Sequence, residues 1–166
     1  DGESEVTVTN TLSEMCSTSG MVATRDTTLS EFSNNHFRDN ESTAIEIRTT
    51  HIGMVDSGSV YAGENANDVV QVSSQDVESD ATWPALDVPY RFEGSNHRLE
   101  AAVTVDPGAR FVFMSGGRIT VRSDGSFVAE GESDSRISFE GETATTGFWE
   151  GIRIRSNNPN NSFDNV

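Results

Sequence analysis

The strongest constraint in this sequence is a rhythm of very short apolar segments that never lengthen into a helix. Val103-Thr104-Val105, Phe111-Val112-Phe113 and Ile119-Thr120-Val121 start every eight residues. Between them stand Asp106-Pro107-Gly108-Ala109 and Ser115-Gly116-Gly117, residue types that turn a chain. Each segment reads as a strand and each spacer as a corner. Three strands with their corners take about 24 residues, which falls within the 20–50 residue class of stacked repeats and matches one turn of a triangular solenoid. No stretch carries a convincing 3.6-residue period.

The rhythm continues downstream through Phe127-Val128-Ala129, Ile137-Ser138-Phe139 and Phe148 to Ile154. Upstream it is less tidy: Val6-Thr7-Val8, Met21-Val22, Leu29 to Phe37, Ile45-Glu46-Ile47, Val69 to Val72 and Val88 to Phe92. Valine outnumbers leucine 16 to 4, and β-branched side chains suit a pleated surface better than a helix. Asn34-Asn35 lies between Phe32 and Phe37; asparagine tolerates left-handed backbone and can stack in amide ladders at solenoid corners. The rival fold is an antiparallel sandwich, for which Asp124-Gly125 is a hairpin signal. Corners of three to five residues and strands shorter than the usual five to six favour the solenoid. The expectation is an all-β chain with three short strands per coil and about seven coils, rising about 4.8 Å each.

Charge narrows the partners. Twenty-seven acidic residues face 11 basic ones, a net charge of −16. That balance argues against a nucleic-acid partner and against docking on an anionic membrane surface. No apolar run approaches the roughly 20 residues of a membrane span, so no membrane insertion is expected. All 11 basic residues are arginine. High acidity without lysine suits a protein of a salt-adapted organism, where counter-ions screen self-repulsion; an acidic, GC-rich mesophile would give the same arginine bias. The chain opens Asp1-Gly2-Glu3-Ser4-Glu5, so any secretion signal has been removed or lies outside it. Single Cys16 excludes an internal disulfide and a cysteine-based zinc site, and reads as a small buried hydrophobe.

The segment Thr82-Trp83-Pro84-Ala85-Leu86-Asp87-Val88-Pro89-Tyr90, with Asp106-Pro107-Gly108, Phe127-Val128-Ala129-Glu130-Gly131, Gly147-Phe148-Trp149-Glu150-Gly151-Ile152 and Asn161 to Val166, carries a resemblance. It resembles right-handed parallel β-helix proteins of the pectin-lyase-like superfamily, in particular secreted or surface proteins of bacteria and archaea. The resemblance implies a right-handed parallel β-helix, one domain over residues 1–166 belonging to a longer protein, at the cell surface or outside the cell. It implies little about activity, because that superfamily holds lyases, hydrolases, adhesins and scaffolds.

Polysaccharide lyases of the superfamily use clustered aspartates for calcium and an arginine or lysine as base. Here Asp106, Asp124, Asp134, Glu140 and Glu142 are scattered over corners, without calcium-loop spacing, so no cofactor is expected and calcium is the one alternative. Arg118, Arg122, Arg153 and Arg155 fall on strands, as substrate clamps or as partners of carboxylates on neighbouring coils. His36, His51 and His97 read as surface or corner residues, and no Gly-x-Ser-x-Gly elbow or phosphate loop is present. Among Trp83, Trp149, Tyr61 and Tyr90, Trp83 stands before a proline in a polar stretch and is the candidate for stacking on a sugar ring. Asn40 and Asn160 head glycosylation sequons. No catalytic residue is assigned. The leading expectation is a non-catalytic scaffold that joins copies of itself, or the rest of a longer chain, through its ends. A polysaccharide-active enzyme and a glycan-binding adhesin are the alternatives.

Overall fold

The computed structural model describes residues 4–24 and 27–166; the opening run Asp1 to Glu3 lies outside them. The chain winds as an all-β parallel solenoid of about six turns, consistent with a right-handed parallel β-helix. Strands β1 (Ser4–Thr9), β2 (Leu12–Glu14) and β3 (Met21–Ala23) make the first turn, and β4 (Thr27–Ser33), β5 (His36–Arg38) and β6 (Thr43–Arg48) lie against them. After a 3-10 helix at Thr49–Met54 come β7 (Asn67–Ser73), β8 (Ala81–Trp83), β9 (Tyr90–Glu93) and β10 (His97–Leu99). The last turns hold β11 (Ala102–Val105), β12 (Arg110–Phe113), β13 (Arg118–Val121), β14 (Ser126–Glu130), β15 (Ser138–Gly141), β16 (Gly151–Ile154) and β17 (Ser162–Asp164).

Every strand pairing among the described residues is parallel. The longest sheet runs β15-β12-β9-β7-β6-β3, beside β17-β14-β11-β8 and β10-β13-β16. The sandwich alternative is thereby excluded: Asp124-Gly125 turns a corner between β13 and β14, which belong to different sheets. Gly125 is required there, because a Cβ would stand 2.6 Å from the Leu99 carbonyl oxygen of the preceding turn. Six turns replace the expected seven because the turns differ in length. The Phe127 amide reaches Asn161 Oδ1 across 34 residues, whereas Asn35 meets Ser59 across 24. The extra residues form corners, and add no strand.

Alternation places one side chain of each pair inside. Val103, Phe111, Ile119 and Phe127 point inward and are fully buried, as the eight-residue rhythm requires. The interior is one stack of rings and branched aliphatics. Phe32, Phe37 and Tyr61 lie nearly parallel at 5.8–6.4 Å between centroids. Trp83 sits 5.7 Å from both Phe111 and Phe127 and 6.0 Å from Phe92.

Asparagines stitch the corners of the early turns. Asn35 Oδ1 accepts the Thr11 N–H, and its Nδ2 donates to Val8 O at 2.9 Å. Asn40 Nδ2 donates to Asn65 Oδ1 at 2.8 Å, one rung of an amide ladder. Left-handed backbone occurs at Asn34, with φ of 53°. Burying these amides is tolerable because each polar atom finds a partner.

Candidate functional site

The sheet β10-β13-β16 supplies the site. Its inward residues are His97, Leu99, Ile119 and Val121, so its outward residues are the polar ones between them. Register puts Arg98 beside Thr120 and Thr120 beside Arg153. One step further along the strands, Arg122 and Arg155 occupy neighbouring rungs: the Arg155 amide donates to Val121 O at 2.8 Å and the Arg122 amide to Leu99 O at 2.9 Å. Arg118 stands at the other end of β13. Five of the 11 arginines therefore line one open cleft of about 220 Å3, together with Asn96 and Thr120.

Two carboxylates reach into this group. Glu150 Oε2 binds Arg118 Nη1 and, at 2.8 Å, Arg153 Nη2. Asp76 Oδ2 takes Arg98 Nη1 at 3.1 Å. Asn96 Oδ1 accepts from Arg118 Nε at 3.2 Å and from Thr120 Oγ1 at 2.8 Å, which fixes the middle of the cleft. Among the described residues Arg122 and Arg155 form no ion pair, and Arg98 Nε–H is buried without an acceptor. With Asp76, Glu150 and Glu100, which register sets opposite Arg122, counted against the five guanidiniums, a surplus of two positive charges stands on one small surface of a strongly acidic protein.

The pairing expected of the strand arginines is found at two of the four. Arg118 and Arg153 pair with a carboxylate; Arg122 and Arg155 do not. Arg98 was not singled out, since its place beside Arg153 depends on the register of three turns of unequal length.

The other sequence candidates fall elsewhere. Trp83 is a correction: it closes β8 with its indole at 0% exposure, packed among Phe92, Phe111 and Phe127, so no sugar ring reaches it. Its proline neighbour begins a corner, and alternation from Ala81 turns the ring inward. Asn40 is corrected likewise. It is 2% exposed and its amide is engaged on both atoms, by the Cys16 N–H and by Asn65 Oδ1, which leaves no room for a glycan. Asn160 stands exposed in the corner before β17. Tyr61 and Tyr90 are buried, and burial raises both phenols far above their ordinary value. Trp149 is half-buried and stacks on Phe113 at 4.5 Å.

The histidines also depart from expectation. His36 is half-buried, but His51 and His97 are buried in the solenoid. His97 Nδ1 lies 2.7 Å from Thr49 Oγ1 and its ring meets Phe92 edge-on at 4.5 Å. Desolvation lowers its pKa to about 4. His51 Nε2 lies 2.7 Å from Thr27 O, and burial lowers its pKa as well. Glu142 binds Arg91 at 2.6 Å. Among the described residues no three His, Cys, Asp or Glu side chains converge, and no helix is long and apolar enough to cross a membrane.

The geometry can thus hold negative charge, through guanidinium forks on a rigid sheet. Its lining side chains are arginine, asparagine and threonine. No family model, curated protein or solved structure matches the chain. Function must therefore be argued from the cleft itself.

Proposed function

We propose that this chain is a non-catalytic extracellular scaffold that displays one anion-binding face. The arginine cleft carries the reading: five guanidinium groups gather on a single sheet, and two of them lack a counter-charge. Such an arrangement costs free energy through like-charge repulsion unless an anion relieves it. Arginine and threonine side chains can orient an anionic glycan or another acidic ligand, which supports the scaffold and adhesin readings. A surface location and adaptation to salt fit the charge of −16 and the absence of lysine.

The exposed apolar side chains support association through the ends. Leu12, Met15 and Val22 belong to the first turn, and Ile154, Phe163 and Val166 to the last. There β15, β16 and β17 each close their sheets with an unpaired edge, a template for further strands. Another copy stacked on such an end would extend the solenoid.

Retention on a sulfated dextran matrix at low salt tests the binding reading. The protein should be held despite its net negative charge and released as salt rises; passage straight through would overturn it. Incubation with uronate polymers and calcium should give no unsaturated product, and clear turnover would restore the enzyme.

A further inference from the structure

Resting on that reading of the arginine face, the geometry points to a narrower ligand: we propose that the cleft takes a tetrahedral oxyanion, a sulfate or phosphate group, seated between Arg122, Arg155 and Arg98. Size is the first argument. A cleft of about 220 Å3 is smaller than the roughly 300–1,000 Å3 of sites that enclose a ring-sized ligand, and suits one compact group with water. The ligand's charged group enters, and the body it decorates stays outside.

Charge is the second. Five guanidiniums less the carboxylates of Asp76, Glu150 and Glu100 leave two positive charges. Glu100 stands opposite Arg122 on the outer face and, among the described residues, forms no ion pair. It moderates the surplus without cancelling it. A carboxylate or a sulfate ester offsets one of these charges, and free sulfate or a phosphate monoester offsets both.

Shape is the third. Arg122 and Arg155 directly follow the adjacent strands β13 and β16, whose last residues Val121 and Ile154 pair, about 4.8 Å apart along the solenoid axis. Arg98 approaches from the other side of β13, carrying a buried Nε–H with no acceptor. A carboxylate has two coplanar oxygens and satisfies one fork well. A sulfate or phosphate ester has three free oxygens in different directions, and can serve three forks at once. Thr120 and Asn96 lock the floor of the cleft, and Asp76 holds the Arg98 guanidinium beside it.

Calorimetric titration of the whole chain with sodium sulfate, inorganic phosphate and sodium malonate, at matched ionic strength, tests this. Sulfate and phosphate should each saturate one site, and malonate should bind at least ten-fold more weakly. The Arg122→Gln/Arg155→Gln double variant, whose changed side chains are exposed and unpaired, should weaken sulfate at least ten-fold while keeping its unfolding temperature. Lowering the pH from 8 to 5 separates the two oxyanions, because phosphate loses its second charge and should weaken while sulfate should not. Malonate binding as tightly as sulfate would overturn the tetrahedral ligand and leave the anion-binding face standing. No saturable binding by any of the three, together with passage through the sulfated matrix, would remove both. Equal sulfate binding by the double variant would place the site elsewhere and overturn the inference.

Discussion

The early and late turns of this solenoid solve the same stacking problem with different chemistry. Of the 12 buried polar side chains among the described residues, nine lie before residue 75: Ser19, Asn35, Asn40, Thr43, Thr49, His51, Ser59, Asn65 and Gln71. The late turns bury rings instead: Trp83, Tyr90, Phe92, Phe111, Phe113 and Phe127 are all shielded from water. Hydrogen bonds fix the register of the first region, since a buried amide left unpaired costs about 1–3 kcal/mol. Area fixes the stability of the second, because each ring withdraws a large apolar surface. The comparison teaches why the arginine cleft sits where it does. A wall backed by rings and aliphatics can carry several like charges outside without losing its shape.

The sharpest way to break the contrast is to remove a ring. Trp83→Ala should destabilise the late turns by about 3–5 kcal/mol in urea unfolding, from lost transfer free energy and the cavity left behind. Trp83→Phe should recover most of this, since it keeps the stack and removes an indole N–H that has no acceptor. A loss below about 1 kcal/mol for the alanine variant would mean that the rings do not carry this region.

Acid probes the joint between the regions. His97 of the late turns meets Thr49 of the early ones. Its folded pKa of about 4 lies below the ordinary value of 6.5, so the unfolded chain takes up the proton first. The neutral histidine's stability is full above pH 6.5 and is lost as pH falls toward 4, roughly 3 kcal/mol in all. His51 acts in the same direction. Stability measured from pH 8 to 4 should fall more steeply in the native protein than in His97→Asn; parallel curves would contradict the assignment.

Removing a polar rung should cost less. Asn65→Ala strips the acceptor of Asn40 and the donors to Phe37 O and Tyr61 O, and should destabilise by about 1–3 kcal/mol. An unchanged midpoint would show that water replaces the rung. The smallest effect belongs to the surface: Arg38→Ala breaks the exposed pair with Glu14 and should move stability by less than about 1 kcal/mol.

The two regions also differed in how far their residues announced the structure. Between Val103 and Phe139 the apolar period alone locates β11 to β15, because inward positions there are uniformly Val, Ile, Ala or Phe. It fails where the inward residue is polar or stands alone. β10 escaped notice because its inward pair is His97 and Leu99. β8 is masked because Trp83 precedes a proline in a polar stretch, a context that suits an exposed ring. Leu29 to Phe37 looked like one segment and is two, since Asn34 and Asn35 turn the chain between β4 and β5. The cleft was half legible. Four arginines could be placed on strands from local alternation, but their convergence with Arg98 follows from pairing across turns of unequal length. A net charge of −16 hid the cationic surface altogether, because a sum over the chain carries no positions.

The account's central claim is that this acidic solenoid keeps one cationic seat. Arginine Nε–Hε nuclear magnetic resonance during a sulfate titration reads that seat directly. The account predicts saturable shifts at Arg98, Arg122 and Arg155, with little change at Arg38, Arg91 and Arg110 on other surfaces. Small shifts spread evenly over all the arginines, rising without saturation, would contradict it.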